Sequence, residues 1–358
     1  MSSAWTGLLI ILLVYFGCPP SVCLGGEGCL TAACHPEIRD FDQVHAPVAE
    51  GECSPCHRPT GEKHPTPGTP GFQLVGTGGE LCRQCHQLPD RSGMRHASAG
   101  KRECLACHNP HGASAKNLLV AGLPDTCLTC HADIGTRMRE AKTRHAPMYR
   151  RQSCSICHSL HDSHYPHLLT ARQQDLCLSC HGQDDFSKSK ALRNIANDLQ
   201  DKAFLHGPLA GGDCAGCHDP HGSDFFRLLT DSYPGEFYAG YQTGIYGFCF
   251  QCHEQKLLRA SRTTAETSFR DGNLNLHYLH VRDRKGRTCL ACHAPHAGDN
   301  RHLIRTAGPP FGDWQIPLGF RLTPTGGSCA PGCHPPRAYD RRAPSQKAPT
   351  QATPEAKR

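Results

Sequence analysis

The sequence predicts a loop-rich fold of short α-helices with little or no β structure, in which something other than side chains fills much of the interior. Three observations carry that expectation. Hydrophobic residues, cysteine included, make up only 38% of the 358 residues. Gly (36) and Pro (28) are abundant, while Trp (2) and Met (4) are scarce. Cys (24) and His (25) are almost equally numerous. Such a composition points to bound cofactors or metals and argues against a helical bundle, a parallel-sheet enzyme or a collagen-like repeat.

Residues 1–25 contain no charged side chain, and Gly7 to Gly17 is an unbroken apolar run. That run is too short to span a bilayer and fits the hydrophobic region of a secretory signal peptide, with Gly25 at a possible cleavage point; a short uncleaved anchor is the alternative. Cys18 follows the run as a lipidated cysteine could, although Tyr15 and Phe16 fit that pattern poorly. The mature chain is expected to be exported, to the periplasm or beyond the cell, and outer-membrane association fits the same reading.

After this leader the cysteines fall into pairs with none left over. Nine pairs read C-x-x-C-H: Cys53/Cys56/His57, Cys82/Cys85/His86, Cys104/Cys107/His108, Cys127/Cys130/His131, Cys154/Cys157/His158, Cys177/Cys180/His181, Cys214/Cys217/His218, Cys249/Cys252/His253 and Cys289/Cys292/His293. Two are spaced variants, Cys29/Cys34/His35 with four intervening residues and Cys329/Cys333/His334 with three. Disulfides, zinc knuckles or iron–sulfur ligation could each use paired cysteines. None of them requires a histidine after every second cysteine. Covalent c-type haem does: two thioethers hold the porphyrin edge, and the adjacent imidazole lies under the iron as proximal ligand. The expectation is therefore eleven haems c.

The histidines outside these motifs are periodic. His45, His96, His145, His206 and His280 precede alternate motifs by eight or nine residues. His111, His161, His221 and His296 follow the proximal histidine of those motifs by three, and in the first repeat the equivalent is displaced to His64. Seven residues beyond each regular one comes an aliphatic pair: Leu118-Leu119, Leu168-Leu169, Leu228-Leu229 and Leu303-Ile304. The unit is thus His, motif, His, aliphatic pair, motif, five times over, with units starting near 45, 96, 145, 206 and 277. These ten spare imidazoles are expected as distal iron ligands. The haem on His35 would then need one of His164, His167, His277 or His302.

This pattern resembles the doubled C-x-x-C-H multihaem cytochromes over nearly all of the mature chain. Size and haem density look most like the periplasmic decahaem cytochromes that sit in an outer-membrane porin, and the extra C-x4-C-H is a departure from them. The resemblance implies a multihaem cytochrome fold, mostly loops with short α-helices packed around a chain of covalently bound haems, with bis-histidine irons. The expected organisation is a signal peptide over 1–25, an N-terminal one-haem segment over 26–44, five two-haem repeats over 45–334 and a disordered tail over 335–358. A longer helix is expected from about Ser187 to Leu205, where Leu192, Ile195, Ala196, Leu199 and Ala203 recur at helical spacing.

The 22 propionates of eleven haems would take the formal charge from +6 to about −16 with every iron ferrous. Lys and Arg are therefore read as propionate partners and solvated surface, and no nucleic-acid partner is expected. Closely packed, doubly ligated irons favour electron transfer without bond chemistry. The expected role is a periplasmic wire feeding or draining an outer-membrane conduit, with other redox proteins, a porin and an extracellular cytochrome as partners. The alternatives are a subunit of an extracellular filament, self-associating through its end haems, or a reductase of nitrite, hydroxylamine or sulfur oxyanions. The reductase would need an open iron; no C-x-x-C-K motif is present, so no catalytic residue is assigned.

Overall fold

The computed structural model describes residues 29–31, 34–87, 93–97, 104–186, 192–283, 286–310 and 314–344. The expected leader with Cys18 lies outside them. The chain divides into two units, one comprising residues up to Cys130 with Ser159–His164, the other His131–His158 with Tyr165 onward.

Helices are short, as the Gly/Pro content predicts. In the first unit a four-residue helix, Ala46–Ala49, begins directly after His45 with Pro47 in its first turn. It stops at Gly51, which takes φ +77°. Proline pre-sets the helical φ, and a glycine at positive φ ends the turn. In the second unit the turns after His145 (Ala146–Tyr149) and His206 (Gly207–Ala210) also carry Pro in their first turn, and Gly212 at φ +73° follows the latter. Among the described residues the longest helices, Ala132–Glu140 and Gln173–His181, have nine residues each.

The expectation of little or no β structure needs correction. The described residues include thirteen strands of two to four residues in six small sheets. In the first unit Gln43–Val44 pairs antiparallel with Gly112–Ala113, and Met94–Arg95 with Asp162–Ser163. In the second, Phe204–Leu205 pairs with Ala297–Gly298, and Thr143 bridges Ser223. Each pair joins the residues just before one spare histidine to those just after a spare histidine of the next repeat. Two residues are too few to show alternation, which is why these strands leave no periodic trace in the sequence.

Two further expectations change. The helix foreseen over Ser187–Leu205 is realised only as Ile195–Leu199, capped by the Asn194 side chain accepting from the Asn197 N–H. Leu192 bridges Asp185 and Phe204–Leu205 is a strand, so pairing to neighbouring chain outcompetes helical propensity there. Residues 187–191 lie outside the described part. The tail expected to be disordered from 335 includes the strand Arg337–Asp340, which pairs with Gly326–Cys329 beside Arg321–Leu322 in a three-stranded sheet. Residues 345–358 lie outside the described part.

The aliphatic core is small. Its main cluster, in the second unit, is Leu229, Tyr233, Tyr246, Leu258 and Val281, with partly buried Phe225, Phe248, Phe250 and Leu290 packed on it. Cys249 and Cys289 pack against the same cluster, so the motif cysteines border the driest part of this unit.

Candidate functional site

The C-x-x-C-H motifs share one local geometry. At Cys53, Cys82, Cys104, Cys154, Cys214, Cys249 and Cys289 the first cysteine's carbonyl accepts two N–H groups, that of the second cysteine at 3.2–3.4 Å and that of the histidine at 2.9–3.0 Å. One helical turn thus brings two thiols and an imidazole to one side of the backbone. In the C-x4-C-H variant the longer loop closes the same way, the His35 N–H donating to Cys29 at 3.1 Å while Cys34 donates to Thr31 at 3.0 Å. The C-x3-C-H variant is built differently: Cys329 ends the strand Gly326–Cys329, opposite Arg337, so Cys333 and His334 lie in a β-hairpin loop.

The two thiols of a motif are not equally sheltered. Cys34, Cys85, Cys130, Cys180, Cys252 and Cys333, all second cysteines, are exposed, whereas their first-cysteine partners Cys29, Cys82, Cys127, Cys177, Cys249 and Cys329 are partly buried. The expected haem-binding role of these six therefore does not rest on burial by the polypeptide. The turn does not cause this, because the same turn leaves the second cysteines Cys56, Cys107, Cys157, Cys217 and Cys292 partly buried. A porphyrin edge bonded to both sulfurs would cover the exposed one.

Each imidazole of most motifs faces a second imidazole. In the first unit, ring centroids are 6.1 Å apart for His35/His64, 5.9 Å for His45/His86, 6.1 Å for His57/His111 and 6.2 Å for His108/His161. In the second they are 6.2 Å for His145/His181 and for His158/His221, 6.1 Å for His206/His253, 6.4 Å for His218/His296 and 6.5 Å for His280/His334. Planes are within 32° of parallel except in the last two pairs named, at 48° and 42°. Two metal–nitrogen bonds of about 2.0 Å, with roughly 1.1 Å from each Nε2 to its ring centre, would place two axial imidazoles about 6.2 Å apart. The pairs match that spacing.

Here the structure corrects one reading. His35 does not face His164, His167, His277 or His302; it faces His64. His277 lies beside His293 instead, the last regular motif histidine. The reason is the stagger. The spare histidine after a motif reaches back to the preceding repeat: His111 to His57, His161 to His108, His221 to His158, His296 to His218. By the same rule His64 belongs to the segment before the first repeat. After the fifth repeat none follows, and the histidine near His293 is His277, just ahead of the π-helical turn Tyr278–Arg282 that carries His280. Histidines ahead of a motif serve their own repeat: His45 faces His86, His145 faces His181, His206 faces His253 and His280 faces His334.

The small strands lock these imidazoles together. The N–H of His45 donates to the carbonyl of His111, that of His96 to His161 and that of His206 to His296, at 2.9–3.0 Å. Two histidines facing different motifs are thereby fixed by one backbone contact.

Residue types do not reveal four backbone carbonyls that act at the site. The Nδ1 atoms of His108, His158, His218 and His293 lie 2.8–2.9 Å from the carbonyls of Asn117, His167, Arg227 and His302. Nδ1–H donates there, which leaves Nε2 free to face a metal and fixes the ring's orientation. Each carbonyl owes its direction to two successive left-handed residues, Asn117-Leu118, His167-Leu168, Arg227-Leu228 and His302-Leu303, with φ between 53° and 60°. The next residue of each aliphatic pair closes the loop by bridging back to the proximal histidine. The only sequence signal is the constant nine-residue offset. His167 and His302 contribute carbonyls here, and their side chains, like that of His164, are exposed.

Other Nδ1 atoms are engaged too: His45 with the Pro110 carbonyl at 2.8 Å, His145 with Pro220 at 2.9 Å, His280 with Leu276 at 2.7 Å and His277 with the Thr267 hydroxyl at 2.8 Å. Carboxylates stand 3.7 Å from the Nδ1 of His221 (Asp219) and His296 (Asp198). Burial lowers the proton affinity of His111, His145, His206, His221, His280, His293 and His296. It pushes His277, with His293 and His280 beside it, down to about 4. Neutral imidazole is the form that ligates a metal.

Thiols of successive motifs come together in alternation. Cys82 with Cys104, Cys177 with Cys214 and Cys249 with Cys289 are side-chain hydrogen-bonded, first cysteine to first cysteine across a repeat boundary. Within repeats it is the second cysteines that meet: after burial, Cys85 raises the Cys56 thiol, Cys130 that of Cys107 and Cys180 that of Cys157. The fourth repeat does the same, with Cys252 raising the Cys217 thiol after burial and the Asp213 carboxylate. Among the described residues no three His, Cys, Asp or Glu side chains cluster as a metal site, so the donors come as separate thiol pairs and imidazole pairs. That set suits a cofactor attached by two thioethers and ligated from both faces; a tetrahedral zinc site would need four convergent donors.

Among the described residues no helix is long and apolar enough to cross a membrane. The family model described as "Doubled CXXCH motif" matches residues 45–89, 96–136, 145–186, 206–257 and 281–311. A curated relative, "Multiheme cytochrome MtrA" of Shewanella baltica (strain OS185), is 27% identical over 145 residues. The match covers 38% of this chain and 40% of the relative, so this chain spans well under half of that protein's length.

Proposed function

Because this chain belongs to the doubled CXXCH family of multihaem c-type cytochromes, we propose that it is an exported electron-transfer protein carrying eleven haems c, in which no iron is left open for substrate. The cysteine pairs of the eleven motifs hold the haem edges, and His35, His57, His86, His108, His131, His158, His181, His218, His253, His293 and His334 are the proximal ligands. His64, His111, His45, His161, His96, His221, His145, His296, His206, His277 and His280 are the respective distal ligands. Bound haem supplies a reversible ferric/ferrous one-electron couple at each position.

The observation that carries this reading is the recurrence of imidazole pairs about 6 Å apart, one member following a C-x-x-C or, at His35, a C-x4-C pair. Imidazoles on both faces would saturate a bound iron, and the Nδ1 hydrogen bonds of His45, His108, His145, His158, His218, His277, His280 and His293 hold those rings in one tautomer, so they would need little rearrangement on electron transfer. The alternating thiol contacts within each unit support haems following one another in sequence order. A reductase of nitrite, hydroxylamine or sulfur oxyanions would need a proximal histidine without a partner. Similarity to a multiheme cytochrome favours a periplasmic wire serving an outer-membrane conduit, with a porin and an extracellular cytochrome as neighbours, over a filament subunit.

Intact-mass measurement of the purified protein is expected to find eleven haem increments, and the dithionite-reduced protein to bind little carbon monoxide. Fewer covalent haems, or binding of carbon monoxide by one haem or more per molecule, overturns this assignment. Co-purification with an outer-membrane porin tests the conduit role, which isolation of the protein alone from detergent-solubilised outer membranes would contradict.

A further inference from the structure

We propose that Phe269 is the positioning residue that keeps the imidazoles of His277 and His280 apart, so that each serves its own iron. The inference rests on the two-imidazole reading above and adds what separates two ligands that the chain places side by side.

In the first four repeats the spare histidines stand fifteen or more residues apart, as His96 and His111 or His206 and His221 do. The fifth repeat departs from this. His280 lies in the π-helical turn Tyr278–Arg282, and His277 leads into it with helical backbone angles, φ −64° and ψ −46°. Side chains three residues apart on a helical turn are neighbours, with Cβ atoms about 5–6 Å apart. Both rings could therefore compete for one iron and leave the other with its motif histidine alone. Yet they face different motifs. His280 faces His334 with ring centroids 6.5 Å apart, and His277 lies beside His293.

The Phe269 ring stands against both imidazoles. Its centroid is 5.1 Å from that of His277, with the planes at 74°, and 5.7 Å from that of His280, with the planes at 29°. It meets the first edge to face and stacks on the second, the two arrangements that aromatic rings favour. A swing of either imidazole into the space this ring fills is blocked, and that space adjoins both.

The backbone of the same residue ties down the groups that aim the two rings. The Nδ1 of His277 lies 2.8 Å from the Thr267 hydroxyl oxygen, which accepts the Phe269 N–H at 3.1 Å. The Nδ1 of His280 lies 2.7 Å from the Leu276 carbonyl, and the Leu276 N–H donates to the Phe269 carbonyl at 3.1 Å. One residue thus fixes both anchors while its side chain touches both ligands.

Phe269 is held from the far side as well. Tyr339 meets its ring edge to face at 5.0 Å and 84°. The hairpin that follows, Arg270–Asp271 with Leu274–Asn275, is fastened to the strand Arg337–Asp340 and the residue after it. The Gly272 N–H donates to the Asp340 carbonyl at 2.8 Å, the Asp340 N–H to Asp271 Oδ1 at 3.1 Å and Arg270 Nη1 to the Arg341 carbonyl at 2.7 Å. A close-packed ring fastened on several sides does not give way to a neighbour.

The test uses the full holoprotein, with carbon monoxide titrated into the dithionite-reduced form and electron paramagnetic resonance on the ferric form. F269A is expected to bind one equivalent of carbon monoxide and to show a new high-spin signal, because one iron keeps an imidazole and the other loses it. F269L retains most of the bulk and is expected to bind as little as the wild type. F269V, with the same expectation as F269A, serves where F269A fails to assemble with its full set of haems. Wild-type binding in the variant that removes the bulk overturns the proposal. Two equivalents overturn it too, since the hairpin would then have released both imidazoles together, and so does a full equivalent bound by F269L, where the bulk is still in place. A wild-type protein that itself binds an equivalent or more would sink the two-imidazole reading instead, whatever Phe269 does.

Discussion

Eight left-handed residues without glycine, two in each of four repeats, are the clearest sign that backbone serves the site. Each costs about 1 kcal/mol, and they persist because the carbonyl they aim orients the imidazole of a C-x-x-C-H motif. His302 illustrates the distinction between a side chain and a backbone group. His302→Gly keeps the carbonyl and removes the strain, so all haems should stay low-spin by electron paramagnetic resonance, with stability unchanged or raised by up to about 1 kcal/mol. A new high-spin signal would mean that the His302 ring is a ligand. For His64 the opposite is expected: His64→Leu should open one iron, seen as one equivalent of carbon monoxide bound, and peptide mapping should locate that haem on Cys29/Cys34. Gly71 belongs to this argument, since a Cβ there would stand 2.5 Å from the His64 Cβ; even alanine would push the ring from its place.

At the level of elements, the two-residue strands couple sites that the sequence presents as independent. Gly112 pairs with Val44 between His45 and His111, and an added Cβ would stand 2.9 Å from the Gln43 carbonyl, with the Phe41 ring closer still. Gly112→Ala is therefore expected to disturb two irons at once, those facing His86 and His57, and magnetic resonance should show two altered haems. A change in one alone would break the link. The short helix Ile195–Leu199 brings Asp198 to His296, where Arg193 also binds it. A carboxylate near Nδ1 strengthens the imidazole as a donor and favours the ferric state. Asp198→Asn should raise the midpoint potential of one haem in a spectroelectrochemical titration, and an unchanged set of potentials would remove Asp198 from this role.

Over the whole molecule, burial of neutral imidazoles ties stability to pH. His277 has its folded-state value depressed from 6.5 to about 4. The unfolded chain then binds the extra proton between those values, so stability rises with pH across that window and is lost as pH falls through it. The shift corresponds to about 3 kcal/mol at neutral pH for this group, and His111, His145, His206, His221, His280, His293 and His296 shift in the same direction. Iron ligation acts in the same sense. The urea midpoint of the purified protein is therefore expected to drop steeply from pH 7 to pH 5; a midpoint independent of pH over that range would contradict it.

How much of this was legible in the linear chain follows from what kind of interaction was at stake. The cysteines and the histidine of each motif are contiguous, and haem attachment dictates their spacing, so composition and periodicity were enough to propose them as haem-binding and to mark the spare histidines as a repeating set. Which spare imidazole faces which motif is a contact between residues tens of positions apart, and the stagger that sends His64 back to His35 and leaves His277 near His293 at the other end appears only once the repeats are paired. The ties that impose that stagger are two-residue strands, and the groups that orient the rings are carbonyls of Asn, His and Arg without distinction. Backbone hydrogen bonds depend on where the chain is, whatever side chain it carries; three-dimensional placement alone could reveal them.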